Sequence, residues 1–168
     1  YLLFTFFNKR IIDTHFRKTL DANQVAGNDF ITTPTPLNNL LWYNLAKSND
    51  GFYIGYRSIC DTKPITEITF VPRNDSLLGD LKNDPGVKKL IRFSQDYYCI
   101  TKSDSGGINF HDMRFGQIGG WVNPQAAFVF TYHIEENDNN RASINQGRFE
   151  AATGEAFKSL IERIKGID

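Results

Sequence analysis

The stretch TPTPLNNLLWYNLAKSNDGFYIGYRSI, residues 33–59, decides the fold because it predicts a β-hairpin rich in aromatic and aliphatic side chains. Two alternating runs flank Asp50-Gly51, a dipeptide typical of tight primed turns. Pairing about this dipeptide sets Leu45 opposite Tyr56. One face of the hairpin then carries apolar side chains that can nucleate a core: Leu41, Tyr43, Leu45, Phe52, Ile54 and Tyr56.

The opposite face of the hairpin mixes polar and aromatic side chains. Asn44 is predicted to lie opposite Arg57, beside Trp42 and Tyr53. Such a mixture suits either a second packed layer or a binding surface. Arg57, Trp42 and Tyr53 are therefore candidate binding residues, together with Trp121 further along the chain.

Length and charge restrict the class of protein. A chain of 168 residues can bury roughly 70% of its unfolded surface and form a single domain without a covalent staple. Its 19 basic and 19 acidic residues cancel, so the charge gives no general attraction to nucleic acid, and we expect no nucleic-acid partner. Cys60 and Cys99 form no CxxC motif and are predicted to be free thiols.

The N-terminal run YLLFTFF, residues 1–7, is apolar apart from Thr5. It is shorter than the roughly 20 residues that span a bilayer. The basic residues Lys9 and Arg10 follow the run, whereas the charge of a signal peptide precedes its apolar region. We interpret the run as the end of a transmembrane helix; the alternative is an amphipathic helix with an apolar start.

A connector helix is predicted next, because Ile12, Phe16 and Leu20 lie at helical spacing. Residues 1–27 are thus expected to be the end of a transmembrane helix plus a connector helix, and residues 28–168 a soluble α+β domain. The positive-inside tendency favours a membrane-anchored domain on the cytoplasmic side. The basic residues that support this side are Lys9, Arg10, Arg17 and Lys18.

The remaining chain predicts mostly strands joined without intervening helices, which indicates antiparallel pairing. The expected elements are strands at 65–73, 96–102, 108–115 and 126–136, helices after Asn74, Asp84 and Thr153, and a polar loop at 137–147. The predicted fold is α+β: an antiparallel, roughly six-stranded curved sheet with two or three helices packed on it and an N-terminal connector helix. One core is expected to unite Phe128, Phe130, Tyr132, Phe157, Leu160 and Ile161.

Candidate polar site residues fall on the later strands. Asp112 and Arg114 share one strand face, and they can pair with each other or bracket Arg57 or Glu67. A hydrolytic metal site needs about three converging His or carboxylate ligands. The candidates, His111, Asp112, His133, Glu135 and Glu136, lack ligand spacing. We therefore predict no metal and no catalysis for this chain alone.

Three sets of segments carry a resemblance to a known family. They are TPTPLNNLLWY with GFYIGYRSI, VPRN followed by VKKLIRFSQDYY, and HDMRFGQIGGW with GEAFKSLIERIKG. Together, over about residues 33–167, they resemble the C-terminal soluble part of membrane-bound metal-dependent hydrolases of the Bacteroidetes type. This family is also described as LexA-binding inner-membrane-associated hydrolases. The resemblance implies a divalent metal in the full-length protein, held by N-terminal transmembrane segments and by no residue of this chain.

Two hypotheses for function follow from these patterns. The resemblance implies an accessory domain that caps a membrane-embedded active site or presents a polar substrate group to it through Arg57, Asp112 and Arg114. The alternative is a non-enzymatic, membrane-tethered binding module that uses Trp42, Tyr53 and Trp121 to hold a protein partner or a small molecule. In both cases the apolar N-terminal run contacts the membrane or a second copy of the chain, which makes a homo-oligomer possible.

Overall fold

The computed structural model describes residues 2–26, 29–136, 141–147 and 154–166. Within these ranges the helices are α1 (Leu2–Ala22), a 3-10 helix (Asp75–Asn83), α2 (Pro85–Phe93) and α3 (Gly154–Ile164). The strands are β1 (Phe30–Pro34), β2 (Leu41–Lys47), β3 (Gly51–Ser58), β4 (Ile68–Pro72), β5 (Tyr98–Lys102), β6 (Ile108–Gln117), β7 (Phe128–Glu136) and β8 (Ala142–Gln146). The α+β class with antiparallel strands is confirmed.

The strands form two four-stranded sheets, with the orders β1-β2-β3-β4 and β5-β6-β7-β8. Every neighbouring pair is antiparallel and consecutive in sequence. The prediction of a single six-stranded sheet is therefore wrong. The helical segment between β4 and β5 carries the chain from the first sheet to the second. Strand β1 was not predicted, and β8 lies within the stretch predicted as a polar loop.

The β2–β3 hairpin has a different register from the predicted one. Leu45 pairs with Ile54 rather than Tyr56, and Asn44 pairs with Gly55 rather than Arg57. The register differs by two residues because the turn is centred between Asn49 and Asp50, one residue before the predicted Asp50-Gly51. A two-residue difference preserves which face each side chain occupies, so the predicted apolar face is retained.

Gly51 does not lie in the tight primed turn that was predicted for it, because it is the first residue of β3. The turn comprises residues 48–50, and the Ser48 N–H donates to the Gly51 carbonyl oxygen at 2.8 Å. Gly51 itself belongs to β3 and pairs with Pro72 of β4. A Cβ atom at Gly51 would lie 2.9 Å from the Pro72 Cα atom. The glycine is needed for the close approach of these two strands.

Three apolar clusters show that the sheets and helices form four layers. The core between the sheets comprises Tyr43, Leu45, Phe52, Ile54, Tyr97, Cys99 and Met113. Helix α1 covers the outer face of the β1–β4 sheet with Phe16 and Leu20 against Ala46. The 3-10 helix and α2 cover the outer face of the β5–β8 sheet with Leu78 and Val87. The chain is thus a two-sheet sandwich with helices on both outer faces.

The single core expected for β7 and the closing helix is wrong. Phe128 packs against the core between the sheets, whereas Tyr132 packs on the outer side beneath α2. The pairing of β6 with β7 is irregular in this region, because Asp112 pairs with Phe130 whereas Gln117 pairs with Phe128. In α3, Leu160 is buried while Phe157 and Ile161 remain exposed.

Helix α1 includes residues 2–7 of the apolar N-terminal run, because it is continuous from Leu2 to Ala22. It ends where Gln24 adopts a left-handed conformation (φ 54°) and the Val25 N–H donates to the Leu20 carbonyl oxygen at 3.0 Å. This is the geometry of a Schellman cap. None of the helices in the described ranges has the length and apolar character needed to cross a membrane.

Candidate functional site

A cleft of about 530 Å³ opens beside the end of β3 and extends to α3. The loop after β3 and the loop after β6 form its other walls. Its lining includes Arg57, Asp61, Thr66, Trp121, Ser159 and Arg163. The cleft therefore combines charged groups and an aromatic ring that come from four separate parts of the chain.

Arg57 is the most unusual group in this cleft, because its side chain is charged and the residue is only 4% exposed. Its guanidinium donates to the Thr66 hydroxyl at 3.3 Å and to the Lys63 carbonyl oxygen at 2.9 Å. No carboxylate in the described ranges forms an ion pair with it. Burial lowers the pKa of Arg57, and repulsion from Arg163 lowers it further while Asp61 raises it. An arginine nevertheless stays charged at neutral pH.

The neighbouring arginine is fully paired. Arg163 on α3 binds the Asp61 carboxylate through two contacts of 2.5 and 2.8 Å, and it also donates to the Tyr56 carbonyl oxygen at 3.1 Å. Asp61 in turn accepts the Ser58 N–H at 2.9 Å. This ion pair holds α3 against the end of β3 and neutralises its own charge. Among the described residues, no carboxylate pairs with Arg57 in the cleft.

Two aromatic rings form one wall of the cleft. Tyr56 and Trp121 pack edge to face with ring centroids 6.1 Å apart. The Trp121 indole N–H donates to the Ser159 hydroxyl at 3.1 Å, and the Tyr56 hydroxyl accepts the Gln117 N–H at 3.2 Å. Burial raises the pKa of Tyr56 well above its ordinary value, so the phenol stays protonated at neutral pH. A Cβ atom at Gly120 would collide with the Tyr56 hydroxyl.

An apolar groove of about 180 Å³ adjoins this aromatic wall, because Tyr56 and Trp121 line both cavities. Its surface is almost entirely apolar. The groove is also lined by Pro34, Tyr43, Phe115, Ile118, Val129 and Leu160. A polar cleft and an apolar groove thus share one wall.

The structure places the predicted hairpin residues in two different regions. Arg57 and Trp121 line the same cleft. Trp42 is buried, and its indole N–H donates to the Asn39 carbonyl oxygen at 3.3 Å. Tyr53 packs against the cluster that α1 covers, and its ring lies 5.2 Å from Phe70. Trp42, Tyr53 and Trp121 therefore do not form the single binding surface that was predicted for them.

Asp112 and Arg114 form an ion pair with each other, which is the first of the two predicted alternatives. The Arg114 guanidinium donates to both carboxylate oxygens of Asp112, at 3.0 and 2.6 Å. Its Cζ atom also lies 5.0 Å from the Phe93 ring centroid. This pair lies between β6 and the end of α2, and it does not bracket Arg57.

The two strand histidines have their own partners. His111 contacts the hydroxyls of Thr101 and Thr131, each at 2.9 Å. His133 contacts Glu135 at 2.9 Å and Asn109 at 3.1 Å. In the part of the chain that the structure describes, no group of three or more His, Cys, Asp or Glu residues could hold a metal ion. The expectation of a metal-free chain stays a prediction.

Sequence reasoning missed Asp61, Ser159 and Arg163. Asp61 and Arg163 are 102 residues apart, and no local pattern connects them. Asp61 does follow the hairpin at a turn position, which is the one local signal that could have singled it out.

Comparisons with models of protein families, with characterised proteins and with solved structures find no match for this chain. The resemblance to membrane-bound hydrolases therefore stays a prediction.

Proposed function

We propose that this chain is a binding domain that holds a small anionic molecule, with a carboxylate or phosphate group, in the cleft at Arg57. The observation that carries the proposal is a buried guanidinium that has no carboxylate partner in the part of the chain that the structure describes. Buried charges in proteins are normally paired, because removing a charge from water costs several kcal/mol. A bound anion would supply the missing partner.

The geometry of arginine suits this role. Its guanidinium has five N–H donors in a planar fork that matches carboxylate and phosphate oxygens. Arg57 has described hydrogen bonds to two acceptors, Thr66 and the Lys63 carbonyl oxygen, which leaves donor capacity for a ligand. These two contacts also fix the side chain before the ligand arrives, and such preorganisation reduces the cost of binding.

The other described charges in the lining of the cleft do not cancel that of Arg57. Asp61 is occupied by Arg163, and Glu67 lies 3.4 Å from Lys63. The remaining carboxylate, Glu162, is exposed on α3, where water and salt screen it. The buried charge of Arg57 is screened less, so it dominates the local field.

The cleft suits binding better than acid–base chemistry. Tyr56 stays protonated at neutral pH, since burial raises its pKa, and it can serve as a donor. Asp61 is held by two hydrogen bonds from Arg163 and one from the Ser58 backbone. A general base needs a pKa near the working pH and access to the substrate proton. Tyr56 lacks the first property, and the hydrogen bonds to the Asp61 carboxylate restrict its access to a substrate proton.

Arg57→Met tests the proposal. Titration with sodium acetate and inorganic phosphate can be followed through the Trp121 indole N–H resonance, with the buried Trp42 as an internal reference. A hydrogen bond to a charged group contributes roughly 1.5–3 kcal/mol, so the substitution should weaken binding roughly 10- to 150-fold. Arg57→Lys keeps the charge but loses the fork, and its affinity should be intermediate.

Arg92→Met is the matched control, because Arg92 is exposed on α2 and its loss changes the net charge equally. Its affinity for both anions should equal that of the wild type. Equal affinity of the wild type and a folded Arg57→Met variant would refute the proposal, as would the absence of any anion-dependent shift in the Trp121 resonance.

We also propose, on the resemblance, that the domain is an accessory to a metal-dependent hydrolase in the membrane, tethered on the cytoplasmic side by the start of α1. One observation favours a tether: five apolar side chains in the first two turns of α1 are exposed. Their exposure ranges from 52% to 82% for Leu2, Leu3, Phe4, Phe6 and Phe7. A contiguous apolar surface of this kind is typical of a membrane or protein contact. The cleft would then present an anionic substrate to the membrane site.

Deletion of residues 1–7 should abolish binding to neutral phosphatidylcholine vesicles and reduce self-association, without unfolding the sheets. The apolar side chains described within this segment, from Leu2 to Phe7, are exposed to solvent, whereas the buried residues of α1 begin at Asn8. Vesicle flotation and sedimentation velocity measure the two effects. Leu37→Glu is the control, since it removes an exposed apolar residue outside α1 and should change neither. Unchanged flotation and unchanged sedimentation of the deletion variant would contradict the tether.

A further inference from the structure

We infer that the ligand of this cleft is an amphipathic acid, with its carboxylate at Arg57 and an apolar arm of about six carbon atoms in the adjoining groove. This inference rests on the proposed anion-binding function and specifies the class of ligand. It depends on three observations: the character of the groove, its size, and the wall that it shares with the cleft.

The groove is built to receive an apolar group. Its lining side chains come from the start of the first sheet, from β6 and β7, and from α3. Val129 and Leu160 supply aliphatic surface, while Phe115 and Tyr43 supply aromatic surface. Polar atoms contribute almost nothing to this surface, so a polar or charged arm would lose its hydration without compensation.

The size of the groove restricts the arm. An apolar cavity of about 150 Å³ in another protein binds benzene. The groove here measures about 180 Å³, so it suits one ring or an aliphatic chain of about six carbon atoms. A peptide with several apolar side chains would exceed this volume. The occupant that fits is a small carboxylic acid.

The shared wall connects the two parts of the ligand. Tyr56 and Trp121 line the cleft that contains Arg57 and also line the groove. Hydrogen bonds to Ser159 and Gln117 hold these two rings in place. A ligand whose acid group lies at Arg57 therefore reaches the groove by passing these rings. The charge of Arg57 determines which end of the ligand lies in the cleft.

A homologous series of acids tests the inference. Acetate, butyrate, hexanoate, octanoate and decanoate can be titrated below their micelle concentrations, with the Trp121 indole N–H resonance as the readout. We expect affinity to rise about four-fold for each added methylene group, which corresponds to ~0.8 kcal/mol. The rise should stop once the chain exceeds the groove.

Two variants test whether the dependence of affinity on chain length arises in the groove. Val129→Phe fills the groove and should remove the dependence of affinity on chain length. Phe115→Ala enlarges the groove at a residue that is already exposed, so it should move the plateau to longer chains. Gln146→Phe on β8 is the control, because it adds the same ring at an exposed position outside both cavities. It should leave the whole series unchanged.

The outcomes separate the two proposals. Anion binding that needs Arg57 but is independent of chain length would overturn the amphipathic ligand and leave the proposed function intact. Chain-length dependence with equal affinities in Arg57→Met would overturn the proposed function and the assigned position of the acid group. The absence of binding by every acid in the series would overturn the amphipathic ligand, and the absence of phosphate binding as well would overturn both proposals.

Discussion

Replacing Asp61 by asparagine should lower the free energy of unfolding by about 3–5 kcal/mol, the usual cost of breaking a buried ion pair. Asp61 and Arg163 expose only 10% and 12% of their side chains. Asparagine would replace the carboxylate that accepts two hydrogen bonds from the Arg163 guanidinium with a neutral amide. Chemical denaturation followed by tryptophan fluorescence measures the change. Because this pair attaches α3 to the end of β3, the Trp121 environment should change as well.

Two further variants test the cause of this loss. Glu67→Gln removes a carboxylate from an ion pair in the same cleft, but Glu67 is 90% exposed and its loss should change stability by less than about 1 kcal/mol. The double variant Asp61→Asn/Arg163→Met removes both charges and should recover part of the loss. A change below about 1 kcal/mol for Asp61→Asn alone would show that the pair does not hold α3 in place.

Acidification from pH 7 to pH 4 should destabilise the wild type by about 3 kcal/mol more than a His111→Gln variant. Burial lowers the pKa of His111 to about 4, from an ordinary value of 6.5. Above pH 6.5 the imidazole is neutral in both the folded and the unfolded chain. Between pH 6.5 and pH 4 the unfolded chain binds the proton more readily, so stability falls as the pH falls. The difference between the two pKa values of His111 corresponds to about 3 kcal/mol of stability, at 1.36 kcal/mol per pKa unit.

The hydrogen bonds of His111 suggest which tautomer is present in the folded chain. The Thr131 hydroxyl donates its hydrogen to the Phe128 carbonyl oxygen at 3.3 Å, so it accepts the hydrogen of His111 Nδ1. The Thr101 hydroxyl then donates to Nε2. Glutamine also offers one donor and one acceptor group and does not titrate, which makes it the appropriate replacement.

Denaturant unfolding at pH 4, 5, 6 and 7 measures this difference. The control is His133→Gln on β7, which replaces the other strand histidine at a more accessible site; it should retain the acid sensitivity that His111 causes. If His111→Gln and the wild type show the same pH dependence, burial of His111 does not contribute to acid destabilisation.

The secondary structure was predictable where local chemistry is sufficient. Asp84 accepts the N–H groups of Gly86 and Val87 at 2.7 and 3.2 Å, as expected of a cap followed by proline at the start of a helix. The alternation of side chains along β2 and β3 also predicted which of them share the apolar face. Both depend on residues close together in sequence, so neither requires knowledge of the fold.

The candidate site was predictable only in part. Arg57 and Trp121 were singled out by sequence, and both line the cleft. Asp112 and Arg114 were also singled out by sequence. They form an ion pair with each other on one face of β6 and do not line the cleft. The ion pair between Asp61 and Arg163 joins segments 102 residues apart, so no local pattern could indicate it.

The sequence by itself determined the α+β class, the antiparallel pairing and most helices and strands, because turn residues, caps and hydrophobic periodicity act locally. Only the tertiary structure decided that the strands divide into two sheets, that Phe128 packs against the core between them, and that α3 forms a wall of the cleft at Arg57. The physical reason is that burial and charge pairing depend on which distant segments meet. Arg57 is a surface candidate in the sequence, and it becomes a buried charge without a carboxylate partner in the described chain only when β3, the loop after it and α3 come together.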